Sequence, residues 1–532
     1  MNKNSKMKFN VTQDNKYLEI IDATTEELSD LKYICKQRID NWKFHPLVKK
    51  KLWDGYINFM DSSNHIPLGL WHEIKLFSKE YGFPFKISGL DRIIDFELQK
   101  SEIEDIFTPW FDSDIQDKYK LREYQLDSVF KILRYRRSIS EIATAAGKTL
   151  TIFMVLYFLL QHKNYKNILI IVPNISLVEQ TMNDIEEYIE TFKIDESLFK
   201  IQLCLGGESK KRKEGCNIVI GTYQTLSKIE PDFFLDIDIV CCDESHTAKV
   251  KSIQTIFKNL NHVNFRFGVS GTAKITDKVS NQKATAFTLE SLLGPKIQTI
   301  KSKKLMDLGY VSPVRIEVKI LDYLPESQRK QLKEIKKKQS INGNKLYSLE
   351  RKLVINNSTR NEYILDLASK QRGVTLLLFA DIKNEYGKTM FNLLNEKLKN
   401  TNSEVYYLDG SSNLDIRQMA IEEVNNNDSK NIFIFASFGI FSTGINIPSI
   451  ENIFLLESYK SEIIIKQSIG RGMRLFKNKE KVVIYDFVDD FTIPGYENYL
   501  MYHGRERRKI YKEEKFDYTV EKRKFDISHQ IF

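Results

Sequence analysis

Several short stretches of this chain are apolar at almost every position. They fall at 168–172 (ILIIV), 218–220 (IVI), 237–242 (IDIVCC), 374–379 (VTLLLF), 405–408 (VYYL), 431–436 (NIFIFA), 452–456 (NIFLL) and 481–485 (KVVIY). A strand with one wet face alternates apolar and polar residues, whereas a strand covered on both faces does not. Burial on both faces implies a parallel sheet between layers of helix. Amphipathic stretches such as 176–191 and 383–399 lie between the runs and supply those layers. The alternation predicts an α/β fold.

The runs form two clusters, about 120–312 and 353–490, so two parallel-sheet lobes are expected, over 116–315 and 353–495. The intervening 316–352 reads as a basic linker or helical insertion, with Asn342-Gly343-Asn344 as a turn. Residues 1–115 have another texture, with turn marks at Trp53-Asp54-Gly55 and Ile66-Pro67-Leu68-Gly69, and read as a small α+β N-terminal domain. A basic C-terminal segment, 496–532, completes the organisation.

Composition removes whole classes. Hydrophobic residues make up 42% of the chain, which excludes wholesale disorder. Five cysteines (35, 204, 216, 241 and 242) are an odd number without C-x-x-C spacing. That argues against a disulfide scaffold or zinc finger and for a reducing compartment, the cytoplasm. Cys241 and Cys242 read as buried strand residues. Met1–Asn10 is polar, so no signal peptide is expected. The longest mostly apolar run, Leu150–Leu160, is well short of the ~20 residues of a membrane span.

The net charge of +9 permits a nucleic-acid partner without requiring one. Its distribution says more. Residues 1–115 carry 16 basic and 19 acidic residues, yet include the run Lys49-Lys50-Lys51. Residues 329–352 carry nine basic and two acidic residues, and 501–532 nine and six. Such runs are commonly solvated helix faces, and a phosphate-tracking role needs support from elsewhere in the chain.

Residues 143–149 read Ala-Thr-Ala-Ala-Gly-Lys-Thr and precede an apolar helix. Backbone N–H groups of such a loop, at a helix N-terminus, cradle phosphates. Thr144, Ala145, Ala146 and Gly147 would form the cradle. Lys148 would neutralise the β- and γ-phosphates, and the Thr149 hydroxyl would hold Mg²⁺. The pattern departs from G-x-x-x-x-G-K-[ST] in having Ile142 at the first position. Upstream, Tyr124-Gln125 is a candidate adenine contact, since a Gln amide pairs with adenine N6 and N7. An exposed Gln on a helix is the plainer reading.

Residues 237–246 read Ile-Asp-Ile-Val-Cys-Cys-Asp-Glu-Ser-His. A buried strand ending in Asp243-Glu244 places two carboxylates at the carboxyl edge of a sheet, where α/β proteins bind ligands. Asp243 would hold Mg²⁺, and Glu244 would orient and deprotonate water.

A Gly-Lys-Thr loop about 95 residues before Asp-Glu-x-His resembles helicase superfamily 2, and further motifs of that family follow in order. Pro173-Asn174 through Gln180 and Gly221-Thr222-Tyr223-Gln224-Thr225 look like its first nucleic-acid motifs. Ser270-Gly271-Thr272 matches the motif coupling nucleotide state to strand binding, a role the resemblance also gives His246. Phe379-Ala380-Asp381 ends a strand as the fourth motif does. Ser442-Thr443-Gly444-Ile445-Asn446-Ile447-Pro448 resembles the fifth, with Asn446 where many relatives carry Asp. Gln467-Ser468-Ile469-Gly470-Arg471-Gly472-Met473-Arg474 matches Q-x-x-G-R-x-x-R, the most specific of the set.

The resemblance implies two RecA-like motor lobes that use ATP and Mg²⁺. Gln467, Arg471 and Arg474 would act on the γ-phosphate, Arg because its planar fork suits spread anionic charge. Gly444 would border the nucleotide. Pro173, Asn174, Gln180, Thr222 and Thr443 would hold a strand by its phosphates without reading sequence. Within the superfamily, Trp53-Asp54-Gly55, Ile66–Leu70 and Phe438–Gly444 resemble bacteriophage recombination and repair helicases. That implies a DNA helicase that remodels forks, Holliday junctions or R-loops and can anneal strands. A monomer is expected, since nothing in the sequence demands more, and the run Lys49, Lys50 and Lys51 and the run 329–352 become candidate duplex contacts. Two rivals share the motor: a restriction translocase subunit and an RNA helicase. The first needs a nuclease, for which Glu317-Val318-Lys319 with Asp307 is the only local hint.

Overall fold

The computed structural model describes residues 7–39, 42–111, 119–206, 211–245, 250–271, 283–324, 343–380, 385–408, 423–424, 430–443, 447–459, 461–477, 479–492, 495 and 497–526. Two compact units emerge, residues 1–143 with 147–300, and residues 144–146 with 301–532.

The first unit holds a seven-stranded, wholly parallel sheet. Its spatial order is Lys296–Ile300, Arg137–Ile142, Phe265–Ser270, Ile239–Asp243, Ile168–Val172, Ile218–Thr222, Ile201–Cys204. The strand Ile168–Val172 is buried at all five positions, as its unbroken apolar sequence requires. The helix Lys148–His162 is buried nearly all round, because it packs into the protein interior. No helix among the described residues is long and apolar enough to cross a membrane.

The N-terminal domain belongs to this unit. Its sheet orders His65–Pro67, Tyr17–Asp22, Met7–Val11 and Phe85–Ser88, the last pair parallel and the others antiparallel. It docks on the helix Lys283–Leu293, where Phe59 meets Phe287 with ring centroids 5.5 Å apart. Gly69 makes the close approach possible, since a Cβ there would lie 2.0 Å from the Glu290 carbonyl oxygen.

The second unit has another seven-stranded parallel sheet. Its order is Ser403–Leu408, Asn431–Ser437, Val374–Phe379, Ile450–Leu455, Val482–Asp490, Val314–Leu324, Asp517–Asp526. This corrects two sequence boundaries. Residues 316–324, assigned to the linker, are part of a strand, and 517–526, assigned to a basic tail, form the strand beside it. The first alternates polar and apolar residues over most of its length and the second is mostly polar, so neither shows the unbroken apolar signature of the centre.

Two cations of the basic runs are spent on internal ion pairs. Arg507, one of the four basic residues at 505–509, is completely buried and donates from Nε and Nη2 to Asp486. Within the 329–352 run, Arg351 donates to Glu457 at 2.5 Å from the helix Gly343–Ile355. Residues 325–342 lie outside the described residues. The charged residues of the nuclease hint are held in ion pairs. Lys319 bridges Glu317 and Glu521 at 3.0 and 2.7 Å, and Asp307 pairs with Lys303. Among the described residues no group of three His, Cys, Asp or Glu could hold a metal ion.

Candidate ATP site and nucleic-acid interface

The phosphate-type loop leaves the strand Arg137–Ile142 and enters the helix Lys148–His162. Gly147 is the N-cap with φ +75°, and Ala145 is also left-handed at φ +65°. Gly147 has a second reason to be glycine: its added Cβ would lie 2.6 Å from Gln125 Nε2. Gln125 is buried, and its Oε1 accepts from the Arg122 N–H at 3.1 Å, capping its own helix, Glu123–Arg134. Its amide therefore lies against the phosphate loop, with the acceptor oxygen engaged by backbone. The exposed-Gln reading fails. Tyr124 is buried beside it and receives a hydrogen bond from Arg122.

Asp243 ends its strand where the sequence placed it. Burial pushes its carboxyl up to about 6, with Lys148 opposing the rise and Glu244 reinforcing it. Glu244 takes a left-handed backbone, φ +45°, and its N–H donates to Asp243 Oδ1 at 2.8 Å. Non-glycine residues held there cost about 1–3 kcal/mol and persist where the surroundings over-determine them. The turn brings the Glu244 carboxylate into an ion pair with Lys148. Lysine, acid and loop, separated by 96 positions in sequence, thus meet at one sheet edge. Thr149 follows Lys148 in the first helical turn. Ser270 closes the neighbouring strand and is buried. His246 and Thr272 lie outside the described residues.

A groove of about 640 Å³ opens at the carboxyl ends of two adjacent parallel strands, Ile168–Val172 and Ile218–Thr222. It joins Pro173 and Asn174 from one motif to Thr222, Gln224 and Thr225 from the other. Asn174 caps the helix Ile175–Thr191, accepting from the Leu177 N–H at 3.0 Å. Gln180 sits half-buried on that helix. Thr222 is buried and spends its hydroxyl on capping, accepting from Thr225 N–H and donating to Thr225 Oγ1. Lys228 also lines the groove and escaped the sequence reading. Its signal was faint, a single cation one turn beyond the motif. Lys49, Lys50 and Lys51 are exposed on the N-terminal domain.

In the second unit Gln467 and Arg471 share one face of the helix Glu462–Gly472, four residues apart, and Arg474 follows its end. Arg471 lies over the Phe441 ring at 5.8 Å, tying this helix to Phe438–Thr443. Thr443 is the last residue of the latter helix, and Gly444–Asn446 and Asp381 lie outside the described residues. Sequence reasoning missed Lys479, whose Nζ donates to the carbonyls of Pro448, Gly472 and Arg474.

Comparison with known proteins matches both parallel-sheet lobes. Residues 118–275 match the model described as the type III restriction enzyme res subunit, and 359–476 match the helicase conserved C-terminal domain. The ATP-dependent DNA helicase uvsW of Enterobacteria phage T4 is 30% identical over 520 residues, covering 94% of this chain and 96% of that protein. The crystal structure of T4 UvsW aligns over 98% of this chain and 99% of its own, at 25% identity and TM-score 0.46. A fragment of a putative HsdR subunit from Vibrio vulnificus YJ016 shares the fold, with TM-score 0.53 at 15% identity over 78% of this chain and 71% of its own. The chain belongs to the superfamily 2 helicases, in the family of the ATP-dependent DNA helicase uvsW, and is an ATP-hydrolysing enzyme of that family.

Proposed function

We propose that this protein is an ATP-driven DNA motor that remodels branched DNA, namely forks, Holliday junctions and R-loops, during recombination, repair and replication. The observation that carries the reading is that the likeness to a phage DNA helicase runs through the N-terminal domain as well as the motor. A monomer working in the cytoplasm of a bacterial host fits that relationship.

Lys148 is the proposed phosphate ligand, with the amides of Thr144–Gly147 as the cradle. The Thr149 hydroxyl and Asp243 carboxylate are hard oxygen donors of the kind Mg²⁺ takes, and they are the proposed metal ligands. Bound Mg²⁺ would neutralise charge on the phosphates. Phosphate binding at Lys148 competes with Glu244 for the same ammonium and so releases the carboxylate to orient water. Gln467, Arg471 and Arg474 are the proposed γ-phosphate contacts, and Tyr124 and Gln125 the contacts toward the base. Ser270 is proposed to couple nucleotide state to strand grip, along with His246 and Thr272, and Gly444 to border the nucleotide.

The groove at Pro173, Asn174, Thr222, Thr225 and Lys228 is the proposed track for one strand, and Gln180 and Thr443 are further proposed strand contacts. Backbone amides there contact phosphate without reading bases, so the motor is expected to be sequence-tolerant. ATP hydrolysis measured with single-stranded DNA, forks, Holliday junctions and RNA tests this. Strongest stimulation by branched DNA is expected, and stimulation by RNA alone would reverse the assignment. Nicking of plasmid with Mg²⁺ would instead support the restriction-translocase reading.

A further inference from the structure

Resting on that reading, we propose that residues Trp42–Gly55 form a wedge that seats against the terminal base pair of a DNA branch. This segment leaves and rejoins a two-stranded ribbon, Lys36–Arg38 paired antiparallel with Tyr56–Asn58. It is built on a small aromatic scaffold. The Arg38 guanidinium is stacked over both Trp42 and Tyr56, at 4.0 and 4.3 Å. Trp53 donates to the Tyr56 carbonyl at 3.0 Å and packs edge-on against His45. Gly55 lies so close to Trp42 that a Cβ would stand 3.0 Å from it. The ribbon is rooted in turn on the helix Lys283–Leu293 of the motor sheet.

What the scaffold presents outward is unusual for a water-exposed segment. Phe44 is 68% exposed, Leu52 72% and Leu47 45%. Leu47 and Leu52 adjoin, because the Leu52 N–H donates to the Leu47 carbonyl at 2.9 Å. A flat ring and two aliphatic groups held on a rigid base suit a stacked base pair. The charge beside them selects a nucleic acid over an apolar protein partner. Residues 42–55 hold four Lys and one acidic residue, which leaves twelve basic against eighteen acidic residues in the rest of 1–115. None of Lys43, Lys49, Lys50 or Lys51 forms an ion pair with a described residue, and Lys49 lies over the Phe44 ring at 5.7 Å. Apolar wedges inserted between base steps, with flanking cations on phosphates, are how proteins unstack a duplex. The ring would cover the base pair exposed at a branch and the lysines the phosphates flanking it.

The test uses the full-length protein and a three-way fork carrying 2-aminopurine at the junction pair, without nucleotide. The wild type is expected to raise the fluorescence and to prefer the fork over linear duplex by about tenfold. Phe44→Ala/Leu52→Ala is expected to lose both effects while keeping hydrolysis stimulated by single-stranded DNA. Phe44→Tyr keeps the ring and is expected to restore the preference. A double variant with the wild-type fork preference and fluorescence rise overturns the wedge, as does a wild type with no fork preference. A wild type that prefers forks but never hydrolyses ATP removes the motor reading and leaves the wedge standing.

Discussion

Lys479 Nζ donates to the Arg474 carbonyl at 2.9 Å, and the same ammonium reaches the carbonyls of Gly472 and Pro448. One cation thus closes the end of the helix that carries Gln467 and Arg471 and fixes the chain just where Arg474 begins. Carbonyls at a helix C-terminus lack intrahelical donors, and a cation there is favoured by the helix dipole as well. Burial pushes the Lys479 ammonium down to about 8, with Glu451 opposing and Arg474 reinforcing. Above that pH the group gives up a proton, and with it a donor and its charge. Lys479→Ala is expected to lower kcat for ATP hydrolysis about tenfold with a smaller change in KM, since hydrogen bonds to charged groups contribute ~1.5–3 kcal/mol. The wild-type rate should fall above about pH 8, and Lys479→Arg should remove that limb. Steady-state hydrolysis across pH 6.5–9.5, roughly spanning that value, reads both effects.

The Lys148–Glu244 pair carries a different prediction. Lys148→Ala should abolish DNA-stimulated hydrolysis and leave DNA binding largely intact, because the groove at Pro173 and Thr225 is built from other strands' ends. Glu244→Gln should bind ATP at least as tightly as the wild type, since Lys148 then no longer carries a competing carboxylate, yet turn over slowly. Nucleotide affinity by fluorescence titration beside single-turnover hydrolysis separates the two. Full turnover by the Lys148 variant would sink the loop assignment.

These relationships show how far the sequence reached. All eight apolar runs became strands of parallel sheets, since burial on both faces is written directly in residues such as Ile168–Val172 and Val374–Phe379. Asp243-Glu244 was legible because a buried strand followed by carboxylates has few other uses. Lys479 was not legible: one lysine among several at 477–481 shows its role only when its nitrogen is seen against three carbonyls. The strand Asp517–Asp526 was missed because this sheet-edge strand keeps polar residues, and only the start of Val314–Leu324 was separated from the linker. Charge counts misled where Arg351 and Arg507 were spent inside the second unit, which no run of basic residues can reveal.

Where the N-terminal domain meets the motor, Glu73 lies against Glu290, and Glu290 is paired with Lys296 at 3.1 Å. Burial and the neighbouring Glu290 raise the Glu73 carboxyl from 4.5 to about 7. A carboxyl with a higher pKa in the folded state stabilises that state fully below the unfolded value. The contribution is lost as pH rises through the folded one. The melting temperature is therefore expected to fall between about pH 5 and pH 8. Glu73→Gln should flatten that slope and raise the melting temperature at pH 8. A variant with the wild-type slope in calorimetry would show that the pair does not titrate in this window.

Arg507 anchors the helix Tyr499–Glu513 to the second sheet through Asp486, and Tyr511 donates to the same carboxylate at 2.9 Å. All three side chains are buried. Removing the arginine strands a buried carboxylate, a loss of about 3–5 kcal/mol. Arg507→Ala should lower the denaturation midpoint accordingly, while Arg508→Ala, the adjacent cation, should shift it by less than about 0.5–1 kcal/mol. Urea titration of the two variants in parallel makes the comparison. Equal shifts would mean that the pair adds nothing beyond surface charge.

The exposed Lys49, Lys50 and Lys51 make the last prediction one about salt. Each phosphate neutralised by a cation on duplex DNA releases counterions and adds about −0.9 to the slope of log K against log salt. If the three lysines hold the duplex beside Phe44, replacing all of them by alanine should make that slope less steep by about 2–3. Affinity should fall uniformly across sequences, because phosphate contacts carry no base information. The same substitutions should leave the slope for short single strands nearly unchanged, since that strand is assigned to the groove at Asn174 and Lys228. Anisotropy titrations of a fork and a single strand from about 50 to 200 mM salt measure both slopes. An unaltered fork slope would move the duplex contact off this surface, whereas an equal loss on the single strand would place these lysines on the track itself.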